Sequence, residues 1–225
     1  MNNAFPAALR IFLLLAGGAL IITLTGPLLD ALAGPGVPAM WWAARAFGLL
    51  ALVALWLSVL MGVFMAGKGA GGLLPKPAVA ILHNRWALAS QVATALHVLF
   101  VVADPISGVT PLAALIPLTS ATLTGPVALG TFALWGLVLL LVTTALARKL
   151  SKLAWRAVHA SAFGSFLLAT VHGVTAGSDS AALPVQVLYA LTSALIVAAI
   201  IQRLLLAWRA GRVAATSATA SSQGQ

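Results

Sequence analysis

The residues of this 225-residue chain best suited to chemistry are its four histidines, which fall in two pairs: His83 with His97, and His159 with His172. The first pair is spaced by 14 residues and the second by 13. At about 1.5 Å of helix rise per residue, these spacings are about 21 and 20 Å, most of the depth of a hydrocarbon core about 30 Å thick. Each pair therefore offers one imidazole toward either face of a bilayer. With the two helices running the same way, His83 and His159 share an inner level, and His97 and His172 an outer one. One imidazole from each helix at each level is what two bis-histidine b haems require, an arrangement with both axial positions filled and an iron that passes electrons.

Two other chemistries use the same residues. Zinc or copper accepts imidazole, but ligands split between levels about 20 Å apart make no single tetrahedral site, and two per level are few for zinc. A proton or ion relay, as in a transporter, is the other; no Asp or Glu lies in an apolar stretch to continue it. The spacing also raises a question of phase. At about 100° per residue, 14 steps return within about 40° of the starting face, whereas 13 miss it by about 140°. The second histidine helix is expected to bend, or its two cofactors to approach from different azimuths, and Gly164, between the two histidines, is expected to permit either a bend or the close approach of a macrocycle.

The elements that must carry these residues follow from composition. Hydrophobic residues make up 62% of the chain and charged residues 7%, against about 45–50% and about 25% in a soluble domain. An ordinary soluble fold is excluded. The absence of cysteine excludes disulfides, iron–sulfur clusters, thiolate ligands and covalently attached c-type haem. Six apolar stretches, 7–25, 40–66, 78–103, 126–147, 153–176 and 185–209, each approach the length of a membrane-crossing helix and are separated by Gly- and Pro-bearing breaks. The net charge of +9 is spread too thinly along apolar sequence to bespeak nucleic acid, so topology claims it. Arg10, Lys68 and Lys76, then Arg148, Lys149 and Lys152, then Arg203, Arg209 and Arg212 alternate with the segments of Asp30, Asp104 and Asp179. By the positive-inside rule both termini are cytoplasmic. The expected fold is an all-α, six-helix transmembrane bundle over residues 1–213, multi-pass in a lipid bilayer, with a disordered polar tail at 214–225.

Residues 31–33 have the A-x-A form of a signal cleavage site, but the n-region carries a single positive charge and the apolar run outlasts an h-region. GKGAGG at 67–72 lies in a short basic loop without the strand and helix of a phosphate-binding motif. Arg45, at the outer start of the second stretch, suits an outer haem propionate, since guanidinium binds carboxylate bidentately; its alternative is an interfacial anchor beside Trp41 and Trp42. Arg85 and Arg156, within three residues of His83 and His159, suit inner propionates or snorkel to headgroups. Trp86 and Trp155 are read as belt anchors before electron stepping stones. Residues 104–126 are long for a connection, and suit a cap over the outer site, a docking surface or a plain interfacial loop.

On HNRWALASQVATALH (83–97), WRAVH (155–159) and His172, the chain resembles the ferric reductase-like transmembrane family. That family includes ferric-chelate reductases, NADPH oxidases and the haem-binding subunit of the bacterial periplasmic methionine-sulfoxide reductase system. The resemblance implies two b haems, His83 and His159 as inner and His97 and His172 as outer axial ligands, and a role as the haem-binding electron-transfer subunit of an oxidoreductase. It also implies a bacterial cytoplasmic membrane. Oxidases and ferric reductases of the family continue into a cytoplasmic flavin and nicotinamide domain, whereas this chain stops soon after the sixth stretch. Its expected donor is therefore a separate flavin reductase or a quinol, and its acceptor extracytoplasmic. A quinol-oxidising cytochrome b subunit of a larger complex is the alternative. Ala44-Arg45-Ala46 matches the context of the oxidases' outer-haem arginine, but Val101 stands where they carry an assisting histidine, which puts superoxide production in doubt.

Overall fold

A computed structural model describes residues 38–66 and 74–222, and all regular elements among them are helical. These are α1 (Ala39–Ala66), α2 (Lys76–Ala103), α3 (Pro111–Leu115), α4 (Thr124–Ala145), α5 (Lys152–His159), α6 (Ser161–Ala176) and α7 (Leu183–Ser222). A 3-10 turn, Ala147–Lys149, joins α4 to α5. Five stretches of the described residues are long and apolar enough to cross a membrane: Ala39–Met65, Lys76–Ala103, Thr124–Ala145, Lys152–Ala176 and Leu183–Leu206. They overlie the last five expected stretches. The expected span at 7–25, the cleavage-like 31–33 and the 67–72 loop lie outside the described residues.

Local chemistry sets the ends of these helices. Proline in the first turn of α2 and of α3 needs no hydrogen-bond partner there. The Thr110 hydroxyl accepts from Ala113 N–H and the Ser151 hydroxyl from Ala154 N–H, capping α3 and α5. Buried Asp104 ends α2 and turns its carboxylate back onto the N–H groups of Ile106 and Ser107, at 3.1 and 2.7 Å.

Packing places α1 at the centre. It lies along α2 and also touches α6 and α7, while α4 lies along α6. A shared core unites Leu52, Leu55 and Val59 of α1 with Leu137 and Leu140 of α4, Phe166 of α6 and Tyr189 and Ile196 of α7. Of the three histidine-bearing helices, α2 has no extensive packing against α5 or α6. Leu88, Val92, Phe132, Leu139, Leu195 and Ile201 are exposed on the outside of the bundle. A surface of this kind is consistent with a multi-pass protein whose outward faces meet lipid.

Two details differ from expectation. The regular helix of the fifth apolar stretch is interrupted at Ala160, not at Gly164: α5 ends on His159, Ala160 is a helical-region cap, and α6 restarts at Ser161. The Phe163 N–H reaches the Ala160 carbonyl at 3.2 Å, a tightened turn that re-phases the side chains beyond it. A Cβ on Gly164 would meet no protein atom within 4 Å. At the other end, α7 continues helical through 214–222, where composition suggests a disordered tail. That stretch is rich in alanine and has no Gly or Pro to stop a running helix.

Candidate functional site

The fold brings the four histidines together in two pairs, each drawing one ring from α2. His83 faces His159 with ring centroids 6.0 Å apart and planes at 66°, and His97 faces His172 at 6.2 Å and 73°. Because α2 is not extensively packed against α5 or α6, the rings of each pair belong to helices that otherwise have little contact.

Three of the four imidazoles are oriented by backbone carbonyls. Nδ1 of His83 bonds the Ser58 carbonyl at 2.8 Å, that of His97 the Ala44 carbonyl at 2.7 Å, and that of His172 the Pro126 carbonyl at 2.8 Å. A carbonyl only accepts, so in each case Nδ1 carries the proton and donates it. Nε2 is then left as a bare lone pair, the form in which imidazole binds a metal. Each of these carbonyls belongs to a helical residue four positions before a glycine: Ala44 and Gly48, Ser58 and Gly62, Pro126 and Gly130. A helix carbonyl has a second lone pair beyond its own i+4 bond, and a glycine at i+4 uncovers it. A Cβ at Gly48 would stand 2.9 Å from His97 Nδ1, and one at Gly130 would stand 2.8 Å from both Nδ1 and Cε1 of His172. At Gly62 the fit is looser, 3.4 Å from His83 Cε1.

His159 is held differently. Its Nδ1 is buried without a hydrogen-bond partner, as are Trp155 Nε1 and Ser161 Oγ beside it in sequence. What orients the ring is Trp155, stacked on it at 4.7 Å and 17°. The tryptophan read as a belt anchor thus belongs to the histidine site.

A cavity of about 220 Å³ lies at the His97/His172 level, lined by both rings, Gly48, Gly130, Arg45 and Asp179. Ser107, Val109, Ala114, Thr122 and Leu123, all from the 104–126 segment, also line it, as does Val101. This segment is tied down by Trp135 Nε1 donating to the Leu115 carbonyl at 2.8 Å and Thr131 Oγ1 to the Ala113 carbonyl at 3.2 Å. Leu123 enters α4 in the left-handed region at φ 46°, which a non-glycine residue adopts against roughly 1 kcal/mol.

The Arg45 guanidinium is engaged by Asp179: Nε donates to Oδ2 at 2.6 Å, and the second nitrogen pairs with Oδ1. It also lies over the Trp42 ring, 4.9 Å from the centroid. Arg85 and Arg156 are exposed. Sequence reading missed the glycines, although a signal was present: Gly48 and Gly62 repeat the 14-residue spacing of His83 and His97 on the neighbouring helix.

The ring separations can be tested against a metal held between the paired imidazoles. Two Nε2–metal bonds of about 2.0 Å and two Nε2-to-centroid distances of about 1.1 Å sum to about 6.2 Å, against the 6.0 and 6.2 Å found. Among the described residues no three His, Asp or Glu come together. Each level brings two imidazoles together, a donor pair that suits a metal whose other ligands come from a macrocycle.

Fold and site together define a helical bundle of membrane-like character with two stacked histidine pairs. The chain belongs to the family described as a domain of unknown function (DUF8596), whose model matches residues 39–179. That match includes all four histidines, the three carbonyl-and-glycine seats, Arg45 and Asp179. No curated protein and no solved structure matches the chain.

Proposed function

We propose that this protein is a multi-pass membrane cytochrome of ferric reductase-like type that conducts electrons across the bilayer through two stacked b haems. His83 and His159 hold the inner haem, His97 and His172 the outer one. The observation that carries this reading is the geometry of the pairs: ring separations of 6.0 and 6.2 Å, with Nδ1 of three rings turned onto carbonyls so that Nε2 is the ligating atom. In this scheme 7–25 is a sixth span, and the charge pattern puts both termini in the cytoplasm. Electrons enter from a cytoplasmic flavoprotein or quinol and leave to an extracytoplasmic acceptor.

When bound, each haem supplies a one-electron iron couple. The chain's own residues do the rest. Ala44, Ser58 and Pro126 carbonyls hold three imidazoles in one tautomer and one orientation, which keeps ligand reorganisation small as charge changes. Core leucines and Phe166 exclude water from the space between levels. Arg45, paired with Asp179 at the outer level, would attract propionate carboxylates in competition with that aspartate.

The test is to purify the protein in detergent and record reduced-minus-oxidised spectra with a pyridine haemochrome assay. Two low-spin b haems per chain are expected, falling to one in His97→Ala and in His172→Ala. A colourless protein from haem-replete cells overturns the reading, and altered proton or ion flux in the same variants then points to a relay.

A further inference from the structure

The two histidine levels are not built alike, and the difference predicts different ligand chemistry. At the outer level both rings are locked, each by a carbonyl bond of 2.7 or 2.8 Å and a glycine against which the ring is pressed. At the inner level His83 is locked by Ser58, but His159 has no partner for Nδ1.

The helix bearing His159 is also the least embedded of the bundle. α5 has eight residues and none of them is buried; Leu153 on it is 80% exposed. It is bounded by the 3-10 turn before it and by the interruption at Ala160 after it, immediately beside the histidine. A ligand on such an element can withdraw by a small rotation of one short helix. His83, His97 and His172 sit within helices 28, 28 and 16 residues long and have no such freedom.

We infer that His159 is an exchangeable axial ligand, so that the inner level is a binding site for a small neutral ligand such as carbon monoxide or nitric oxide, while the outer level is coordinatively closed. The inference rests on the haem reading above. The exchange breaks one dative bond, from His159 Nε2 to ferrous iron, and forms one from the incoming ligand to the same iron; no electron or proton moves. Trp155, stacked on the departing ring, supplies the restoring contact that returns it.

The experiment uses the full-length holoprotein in detergent with its haem content already measured, reduced with dithionite and equilibrated with carbon monoxide. A carbonyl spectrum involving one haem of two is expected. The His172→Ala protein, left with the inner haem, retains that spectrum; Trp155→Ala speeds carbon monoxide binding several-fold. Two low-spin haems that take up no carbon monoxide, or uptake traced to the outer level, overturn the inference and leave the cytochrome reading intact. A haem-free protein removes both.

Discussion

Replacing Gly48 with alanine should evict the outer haem without unfolding the protein. The added methyl would stand 2.9 Å from His97 Nδ1 and 3.1 Å from its Cε1, whereas carbon contacts rest at about 3.5–4.0 Å. The ring must therefore retreat by about 0.6 Å or more. That retreat stretches the 2.7 Å bond to the Ala44 carbonyl beyond the roughly 3.2 Å reach of an N–H···O bond. Losing this bond weakens ring placement by about 1–3 kcal/mol, and residual crowding adds about 1–3 kcal/mol. A combined total of about 2–6 kcal/mol is roughly a 30- to 20,000-fold loss of affinity at that level. The penalty applies only while the imidazole is in its ligating position; without cofactor the side chain rotates away and the helix gains up to about 1 kcal/mol from alanine. Haem-to-protein ratio and thermal unfolding, measured on the same preparation, read the two effects apart. One haem per chain in a protein that melts no lower than the apo form is the expected outcome. Gly164→Ala is the control, since nothing lies within 4 Å of its added carbon. Two haems held with unchanged affinity in Gly48→Ala, or equal loss in both variants, would refute the reasoning.

Crossed axial imidazoles, at 66° and 73°, should give the ferric protein a strongly anisotropic low-spin EPR signal at low field; a rhombic signal typical of parallel rings would contradict this ring geometry. Gln91 bridges α2 to α4 by donating to the Leu137 carbonyl at 2.9 Å, so Gln91→Leu should lower stability by about 1 kcal/mol and leave haem content at two. An unchanged Tm together with lost haem would argue that Gln91 serves the site instead. The Arg45 and Asp179 side chains are 25% and 27% exposed, between the surface and buried regimes. A double-mutant cycle with Arg45→Gln and Asp179→Asn should give a coupling of about 1–2 kcal/mol, and one indistinguishable from zero would mean that the pair does not tie α1 to the turn before α7.

The helices and the candidate ligands were legible for one reason: apolar stretches leave few polar residues, so four histidines in two of them stand out. Spacing puts one ring of each pair at each level, but only the 14-residue step of His83 and His97 nearly restores helical phase; the 13-residue step of His159 and His172 needs the interruption between them. The position of that interruption did not follow from the spacing. Gly164 is the residue most tolerant of a bend, yet the interruption falls at Ala160, where the ring of His159 has to be turned toward His83; position is set by the partner, not by local flexibility. Arg45 and Asp179 are separated by 134 residues, and nothing in either neighbourhood names the other. Trp155 reads from sequence as an interface residue because belt tryptophans are common at span ends; its stacking on His159 is an i, i+4 contact on α5.

The histidine seats have a further consequence for how this architecture changes over time. The acceptor atoms at Ala44, Ser58 and Pro126 are main-chain oxygens, which every amino acid carries. Substitution at these three positions can alter size or polarity without deleting the bond that orients the ring. What inheritance must preserve lies one turn later, at the missing side chains of Gly48 and Gly130, where any gain of an atom intrudes on the imidazole. Among family members the signature of the site should therefore be written in histidines and glycines, with the residues that actually accept the hydrogen bonds drifting freely.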